Sequence, residues 1–334
     1  MMKALLLERL TPIETGPLRP REIEKPRPGA GQVLVRVEAC GLCHTDLHII
    51  EGEIPGANLP LIPGHQVVGV VEESGSGVEE PRPGARVGMG WLGSTCGQCE
   101  FCRNSQENLC PNALFTGHSF NGGFAEYTLA RADFTYPLPA GMPAEQIAPL
   151  LCAGIVGYRS LRISGVKPGE RLGLWGFGAS AHIIIQIAKY WNCVVYVFSR
   201  NAEHRALALR LGAAWAGGAD TPLSDKLHAG IIFAPAGALV PPALETLLPG
   251  GTLVLAGIYM SQIPPLDYRR HLYWEKSLRS VTNSTRPDGR ELLQLAAEIG
   301  IHTEVEVFPL EQANQALQKL KAGKINGAGV IILR

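Results

Sequence analysis

Two short segments bring together side chains that bind metals or move protons. The first, CGLCHTDLH, covers Cys40–His48, and the second, PGHQ, covers Pro63–Gln66. Within them, Cys43 and His65 offer one thiolate and one imidazole, a pair of donors that suits zinc. A catalytic zinc needs a third protein ligand and leaves its fourth position to water or substrate. The two segments therefore predict most of a zinc site.

A further cysteine, Cys152, lies in PLLCAGIVGY, just before the pattern of the chain changes. Its position at this junction makes it a candidate for the third ligand. A single cysteine in an apolar stretch is usually a packed core residue, and a single histidine is usually only hydrogen-bonded. We interpret Cys40 and Cys193 as packed cysteines of this kind. Cys43, His65 and Cys152 together predict the catalytic site.

Thr45, Asp46 and His48 support this interpretation. If the segment is helical, Thr45 and His48 lie one turn apart on the same face. A hydroxyl group beside an imidazole can carry a proton from a buried substrate to solvent. Asp46 can orient a ligating imidazole by a hydrogen bond. The segment therefore predicts a proton path next to the metal.

Four more cysteines follow the spacing C-x2-C-x2-C-x7-C in STCGQCEFCRNSQENLCP; they are Cys96, Cys99, Cys102 and Cys110. Four thiolates this close can surround one tetrahedral zinc and leave no open position, which is typical of a structural site. An iron–sulfur cluster is the alternative, because ferredoxin-like runs also use C-x2-C-x2-C. The seven-residue gap and the lack of a second cysteine group favour structural zinc.

A glycine-rich turn, WGFGASA, follows a predicted strand and opens a predicted helix. It contains G-x-G-x-x-A at Gly176, Gly178 and Ala181, a variant of the dinucleotide-binding fingerprint. Glycines permit the tight turn and let a pyrophosphate approach the N-terminus of the helix. The turn therefore predicts a site for a nicotinamide cofactor.

The residue after the next strand bears on which cofactor binds. An NAD-binding fold places Asp or Glu there for the ribose hydroxyls, whereas this chain has Ser199 followed by Arg200. A carboxylate would repel a 2′-phosphate, and Ser and Arg can bind one. We therefore predict NADP(H) in preference to NAD(H). The alternative is that Arg200 is only a solvated surface charge.

The elements that must position these residues fall into two classes. Residues 1 to about 150 contain short Val-rich segments bounded by Gly and Pro, which predict strands of a partly closed antiparallel barrel or sheet. From about Arg171 onward, strands alternate with helices, and six strands with helical crossovers predict a doubly wound parallel sheet. The predicted strands are Arg171–Trp175, Val194–Phe198, Ala213–Ala216, Gly230–Ala234, Thr252–Ala256 and Ser277–Val281.

Length and composition set the remaining limits. A chain of 334 residues predicts two domains. Its formal net charge of zero removes electrostatic attraction to nucleic acid or to an anionic membrane. No apolar stretch reaches the roughly 20 residues that span a bilayer, and the N-terminus does not have the form of a signal peptide. We expect a cytoplasmic protein, in which a count of eight cysteines indicates metal binding rather than disulfides.

These segments, in this order and spacing, resemble the zinc-dependent alcohol dehydrogenases of the medium-chain dehydrogenase/reductase superfamily along essentially the whole chain. The resemblance implies an α/β fold, with a GroES-like, mostly-β catalytic domain at residues 1–153 and 284–334. A doubly wound parallel Rossmann domain at 154–283 would be inserted between them. It also implies two zinc ions per chain, an alcohol or aldehyde substrate, and a homodimer or homotetramer.

The resemblance also assigns roles to residues. Cys43, His65 and Cys152 match the ligands of the catalytic zinc, and the four-cysteine loop matches the structural zinc lobe. Thr45 and His48 match a proton relay that runs through the cofactor ribose. Further matched positions contact the cofactor pyrophosphate (His44) or line the substrate pocket (Ile54 and Trp91).

Three departures from the family pattern stand out. Gln66 replaces a glutamate beside a zinc ligand, which makes the site one charge more positive. Ser199 replaces the acidic residue of the ribose site. Gly327 and Ala328 stand where many relatives have an arginine that reaches the cofactor phosphates.

Other functions remain open from the sequence. A polyol or amino-alcohol dehydrogenase on the same scaffold should carry a more polar pocket than Ile54 and Trp91 provide. A zinc-ribbon nucleic-acid-binding or regulatory protein is disfavoured by the neutral charge and the complete catalytic set. A metal-free quinone reductase is a third alternative, which a content of nearly two zinc ions per chain would exclude.

Overall fold

A computed structural model describes residues 1–219 and 221–333. The chain forms two compact units. The first unit contains Met1–Cys152, Thr285–Glu298 and the chain from Thr303 onward, and the second contains Ala153–Ser284 and Ile299–His302. Within the described ranges, no helix is both long enough and apolar enough to cross a membrane.

The N-terminal part of the first unit consists mainly of strands, as expected for Val-rich segments that alternate with turns. Its strands are β1 (Met2–Leu7), β2 (Leu18–Ile23), β3 (Gln32–Gly41), β4 (Gln66–Ser74), β5 (Arg86–Met89), β6 (Leu92–Ser94), β7 (Leu114–Phe115), β8 (Tyr127–Arg131) and β9 (Thr135–Pro137). Its helices are α1 (His44–Ile50), α2 (Glu100–Arg103) and α3 (Ala144–Ile147), and short 3-10 turns lie at Ile13–Thr15, Glu107–Leu109, Ala132–Phe134 and Ala148–Leu151.

The second unit alternates strands with helices. Its strands are β10 (Arg171–Trp175), β11 (Val194–Phe198), β12 (Trp215–Gly217), β13 (Leu227–Ile232), β14 (Leu247–Leu255) and β15 (Ser277–Ser280). Its helices are α4 (Ala153–Ser164), α5 (Ala179–Tyr190), α6 (Ala202–Arg210), α7 (Val240–Thr246) and α8 (Tyr268–His271). The parallel strands follow the order β12-β11-β10-β13-β14-β15, the order of a doubly wound Rossmann sheet. The predicted fold class is confirmed.

Several details of the second unit differ from the sequence prediction; among them, β12 begins two residues after the predicted Ala213 and β14 begins five residues before the predicted Thr252. The described residues between β12 and β13, which are 218, 219 and 221–226, contain no helix, whereas a helical crossover was expected for every strand. This stretch is rich in Gly, Pro, Ser and Asp, which favour turns over helix. Strand β13 also begins three residues before the predicted Gly230, because pairing with Leu247 of β14 extends it beyond its most apolar part.

The C-terminal tail contributes α9 (Arg286–Ile299), β16 (Val305–Pro309), α10 (Ala313–Lys321) and β17 (Ala328–Ile332). β16 and β17 join the main sheet of the first unit, whose order is β16-β17-β3-β4-β5-β9, with β8 also paired to β3. In this sheet Ile331 of β17 lies opposite Cys40 of β3, and Gly41 of β3 lies opposite Gln66 of β4. The pairing of β3 with β4 therefore brings together the ends of the two segments that carry the candidate zinc ligands.

Candidate active site

Helix α1 begins directly after strand β3 and carries most of the polar residues of the site. Cys43 precedes the helix with an extended backbone, and its N–H donates to Asp46 Oδ2 at 2.9 Å. A carboxylate in the first helical turn accepts from an otherwise unpaired N–H and interacts favourably with the helix dipole. Asp46 therefore starts the helix while its other oxygen remains available to the site.

The second segment turns into the site at Gly64. This residue has φ +96°, and a Cβ atom there would lie 2.6 Å from the Phe124 ring and 2.9 Å from Cys40 Sγ. Only glycine fits such a backbone in so little space. The turn places His65 in a fully buried position just before β4.

Cys43, His65 and Cys152 come together in the first unit, with one donor atom from each within 4.8 Å of the others. His65 Nδ1 contacts Asp46 Oδ1 at 3.0 Å. Among residues 1–219 and 221–333, the buried His65 Nε2 atom has no hydrogen-bond partner. A buried polar nitrogen without a partner is costly unless it binds something else. Two sulfurs and this nitrogen fit a zinc ion that keeps its fourth position open.

The pKa shifts of Cys43 and His65 also suit a metal, whereas the neighbouring Cys43 and burial raise the pKa of Cys152. The Cys152 thiol, and after it the His65 imidazole, hold the pKa of Cys43 well below its ordinary value despite burial. Burial alone lowers the pKa of His65, but Asp46 and Cys43 outweigh it and raise that pKa to about 10. These shifts favour a thiolate at Cys43 and a proton on the His65 imidazole, and zinc binding releases such protons.

The remaining residues of the first predicted segment lie along α1. Thr45 is buried, and its Oγ1 atom lies 3.5 Å from Cys43 Sγ. The segment is helical, which is the condition on which the predicted proton path depends, so Thr45 and His48 occupy one face, three positions apart. His48 contacts the carboxylate of Glu53. His44 is the first residue of the helix and is exposed.

Trp91 forms an apolar wall next to the candidate ligands. Its ring meets that of His65 edge-on at 5.2 Å and stacks on Phe115 at 4.8 Å with an interplanar angle of 11°. The His118 ring lies 5.8 Å from Trp91. Ile54 and Trp91 pack against the same buried apolar core of the first unit. The assignment of Trp91 and Ile54 to the substrate pocket, which the resemblance implies, stays a prediction, and it did not include Phe115 or His118. Phe115 and His118 belong to the segment FTGHSF, whose aromatic residues are visible in the sequence. The spacing of this segment does not indicate that its rings pack on Trp91.

Gln66 follows His65 and begins β4. It is buried and pairs with Gly41 of β3. The neutral amide that departs from the family pattern is therefore part of the sheet next to a candidate ligand.

The four-cysteine loop forms a second compact group of sulfurs. The Sγ atom of Cys102 lies 3.5 Å from that of Cys99 and 4.0 Å from that of Cys96, which is 3.6 Å from Cys110 Sγ. Four sulfurs around zinc at about 2.3 Å would lie about 3.8 Å apart, so this group fits a tetrahedral ion. Backbone N–H groups of Gln98 and Cys99 lower the pKa of Cys96 to about 6, which favours the thiolate.

The glycine-rich turn lies between β10 and α5 in the second unit. Gly176 has φ +89°, and a Cβ atom there would lie 3.0 Å from Ala234 N. Gly178 precedes the first residue of α5, and Ala181 is fully buried in that helix. The N-terminus of this twelve-residue helix therefore presents backbone N–H groups and a positive dipole, which suit a phosphate.

Ser199 follows β11 and is largely buried, and Arg200 after it is exposed. A second arginine, Arg205 of α6, donates from Nη1 to the carbonyl oxygens of Ser199 at 2.8 Å and of Arg200 at 2.9 Å. The sequence prediction did not include Arg205, because nothing local shows that its side chain folds back over the strand end. Glu203 is the acidic residue in the first turn of the same helix.

Comparison with known proteins identifies a matching family in each half of the chain. Residues 29–140 match the family described as the alcohol dehydrogenase GroES-like domain, and residues 181–298 match the family described as zinc-binding dehydrogenase. The chain is 47% identical over 337 residues to the probable alcohol dehydrogenase AdhA of Mycobacterium tuberculosis, which covers 99% of this chain and 97% of that protein.

Solved structures show the same architecture. A cinnamyl alcohol dehydrogenase from Sorghum bicolor aligns with a TM-score of 0.91 at 30% identity, covering 99% of this chain and 98% of that one. A cobalt- and zinc-bound thermostable alcohol dehydrogenase from Pyrobaculum aerophilum aligns with a TM-score of 0.91 at 26% identity, covering 99% of both chains. The resemblance inferred from the sequence is confirmed. The chain belongs to the zinc-dependent alcohol dehydrogenases of the medium-chain dehydrogenase/reductase superfamily and is an oxidoreductase.

Proposed function

We propose that this enzyme interconverts an apolar alcohol and its aldehyde or ketone at a zinc site formed by Cys43, His65 and Cys152, with NADP(H) favoured over NAD(H). One observation carries the proposal. The donor atoms of these three residues converge within 4.8 Å, and the buried His65 Nε2 atom has no partner within the described residues. Two thiolates and one neutral imidazole would balance the charge of a zinc ion.

Each side chain then has a distinct task. When bound, a zinc ion would supply the positive charge that acidifies an alcohol hydroxyl, and a nicotinamide cofactor would supply the hydride acceptor. Asp46 holds the His65 imidazole in the tautomer that leaves Nε2 for the metal. The buried Thr45 hydroxyl, beside Cys43 Sγ, receives the substrate proton, and His48 passes it toward solvent. Cys96, Cys99, Cys102 and Cys110 hold the second, structural zinc.

The cofactor assignment concerns the second unit, to which we give the dinucleotide-binding role. Gly176, Gly178 and Ala181 suit a pyrophosphate at the N-terminus of α5. Ser199 offers a hydroxyl in place of a carboxylate, and Arg200 and Arg205 add two positive charges at the end of β11 against the single negative charge of Glu203. This balance favours a 2′-phosphate, which supports NADP(H).

The proposed substrate is apolar, and an aromatic alcohol would fit well. Trp91 and Phe115 form a stacked aromatic pair against His65, which favours packing of apolar or aromatic groups. The cinnamyl alcohol dehydrogenase with 30% identity acts on such an alcohol by its name. A polyol dehydrogenase is the alternative, and higher activity on sorbitol than on benzyl alcohol would favour it.

We further propose that the enzyme is a homodimer or homotetramer and works in the cytoplasm. Tyr268, Tyr273 and Trp274 are each more than half exposed and precede β15, which pairs only with β14 within the described residues. Exposed aromatic groups beside an open sheet edge support association with another subunit. The seven thiolate and imidazole ligands of two zinc sites suit a reducing compartment.

The test is initial-rate kinetics with NADPH and NADH across benzyl, cinnamyl and aliphatic aldehydes, before and after treatment with a zinc chelator. We expect reduction that needs zinc, is faster with NADPH, and is lost in Cys43→Ala. Full activity in Cys43→Ala would contradict the zinc site, and equal or higher rates with NADH would contradict the cofactor assignment.

A further inference from the structure

We propose that His118 sets the preference of this enzyme for large apolar substrates. Its imidazole ties the loop at residues 51–58 to the segment at residues 115–120, so it is a positioning residue. The loop carries Ile54 and the segment carries Phe115. The inference rests on the proposed function, in which an apolar alcohol packs against Phe115 and its stacked partner. It adds the contact that keeps the predicted pocket residue Ile54 at a fixed distance from that pair.

His118 contacts loop 51–58 through one ring nitrogen. Its Nε2 atom lies 3.1 Å from the Pro55 carbonyl oxygen, and because a carbonyl oxygen only accepts, Nε2 is the donor. With the proton of a neutral ring on Nε2, Nδ1 is an acceptor, and Ser119 Oγ lies 3.4 Å from it. That hydroxyl oxygen accepts from the Phe115 N–H at 3.0 Å, so its own hydrogen is free for Nδ1. A chain of hydrogen bonds therefore runs from the backbone of Phe115 to the backbone of Pro55.

Two further hydrogen bonds join the second half of the loop to the same segment. The Asn58 N–H donates to the His118 carbonyl oxygen at 3.4 Å, and Asn58 Nδ2 donates to the Ser119 carbonyl oxygen at 3.0 Å. The first half of the loop is held by α1, where the N–H of Ile54 donates to the His48 carbonyl oxygen at 3.3 Å. Ile54 therefore lies where the loop passes from one support to the other.

Segment 115–120 is a firm support for the exposed end of the loop. His118 is 7% exposed, whereas Pro55 and Asn58 are exposed. Gly117 has φ +69°, and a Cβ atom there would lie 2.9 Å from both N and O of Gly64, in the buried turn that leads into β4. The segment is thus packed closely against that turn. Because water competes for the hydrogen bonds of exposed groups, the bond from the buried ring holds the loop best.

The hydrogen bond to Pro55 fixes the spacing of two apolar surfaces. The centroid of the His118 ring lies 5.8 Å from that of Trp91 and 6.3 Å from that of Phe115. Ile54, next to Pro55, packs against the same buried core as Trp91. A substrate large enough to touch both surfaces benefits from their fixed spacing, because ordering a loose loop on binding costs conformational entropy. A small substrate that does not reach the loop gains nothing from it.

Two substitutions separate the hydrogen bond of His118 from its ring. His118→Gln keeps an N–H group near the place of Nε2, whereas His118→Phe keeps a ring that cannot donate to Pro55. His271→Phe is the control, because His271 is also buried, at 5% exposed, and its ring accepts from the Asp267 N–H at 2.9 Å. His271 belongs to the second unit and lies outside both the loop and the segment.

Initial rates of reduction are measured with cinnamaldehyde and with acetaldehyde, using the preferred cofactor and enzyme normalised to its zinc content. We expect the ratio of kcat/KM for cinnamaldehyde to that for acetaldehyde to fall about tenfold in His118→Phe, through a higher KM for cinnamaldehyde. The ratio should stay within about twofold of the wild type in His118→Gln and in His271→Phe. A loss of folded enzyme would lower both rates alike and leave the ratio unchanged.

Amide hydrogen exchange of the zinc-loaded enzyme without substrate gives the second measurement. We expect residues 51–58 to exchange about tenfold faster in His118→Phe than in the wild type or His118→Gln, because loss of the bond frees the second half of the loop. Unchanged exchange or an unchanged ratio in His118→Phe overturns the inference, and so does an equal fall of the ratio in His118→Gln. If the wild type reduces neither aldehyde, the proposed function fails instead, and the exchange rates still decide whether His118 holds the loop.

Discussion

The Asp46 carboxylate joins His65 to Cys43: one oxygen lies 3.0 Å from His65 Nδ1, and the other accepts from the Cys43 backbone N–H at 2.9 Å. A single buried side chain therefore orients one candidate zinc ligand and fixes the backbone of another. The helix start and the metal site depend on the same carboxylate.

Asp46→Asn should weaken zinc binding at the catalytic site. The amide can serve the Cys43 N–H or His65 Nδ1–H with its one oxygen, but its NH₂ group cannot accept from the other. Loss of such a partner costs about 10–100-fold in metal affinity. The measurement is zinc release to a chromogenic chelator. The exposed Glu79→Gln serves as the control, and equal release rates in both variants would contradict this role of Asp46.

Cys99→Ser should remove one zinc per chain and leave the other. Three thiolates and a hydroxyl hold zinc less tightly than four thiolates, and a structural zinc contributes directly to folding. We expect elemental analysis to give two zinc ions in the wild type and one in the variant, with a lower Tm. Cys193→Ser changes a buried cysteine outside both clusters and should retain two ions. Iron in the purified protein would instead support the iron–sulfur alternative.

Glu107→Gln should destabilise the first unit by about 2 kcal/mol. The carboxylate is 8% exposed, lies 2.6 Å from Arg286 Nη2 and 2.9 Å from Arg286 Nε, and accepts from the Arg286 backbone N–H at 2.7 Å. The change removes the nearest counter-charge of the partly buried guanidinium and leaves it the longer pair with Asp133, whose Oδ2 lies 3.5 Å from Arg286 Nη1. Urea unfolding measures the loss. Glu80→Gln in the exposed pair with Arg82 should cost less than about 0.5 kcal/mol, and a similar cost in both variants would refute the argument.

Ser199→Asp should shift the cofactor preference toward NADH. A carboxylate at the end of β11 would accept from ribose hydroxyls and repel a 2′-phosphate. We expect the ratio of kcat/KM for NADPH to that for NADH to fall at least about tenfold, which corresponds to about 1.4 kcal/mol. Ser224→Asp adds the same charge at an exposed position of the same unit and should leave the ratio unchanged. An unaltered ratio in Ser199→Asp would show that this position does not face the ribose.

His182 should make stability depend on pH. It is fully buried in α5, and burial lowers the pKa of its imidazole to about 4, an effect only partly offset by the hydrogen bond to the Gly178 carbonyl. Between pH 6.5 and 4 the unfolded chain binds a proton that the folded chain does not. The free energy of unfolding should therefore fall by about 3 kcal/mol as pH drops through this window.

His182→Asn tests this, because the Asn amide can still donate to Gly178 but does not titrate. Urea unfolding of both proteins from pH 7 to pH 4 should show the wild type losing its advantage over the variant as the solution becomes more acidic. A constant difference across the window would show that the His182 pKa does not limit stability.

The chemistry and the local elements could be read from the sequence because both depend on neighbouring residues. The spacing of Cys96, Cys99 and Cys102 predicts a metal-binding loop, and the glycine pattern of the turn after β10 predicts a phosphate site at the start of a helix. The alternation of predicted strands and helices correctly predicted the doubly wound sheet. Pairing between distant strands set the exact bounds, which is why β13 starts before its predicted first residue. Turn-forming residues explain why the described part of the segment before β13 contains no helix.

Contacts between distant parts of the chain were decided only by the tertiary structure. Cys152 meets Cys43 and His65 because the main sheet and the 3-10 turn before Cys152 bring three separate segments to one point. The stacking of Phe115 on Trp91 and the contact of Glu53 with His48 likewise depend on how loops turn back, which residue types and local spacing do not specify. The sequence determined which groups could bind metal, cofactor and proton, and folding determined which of them meet.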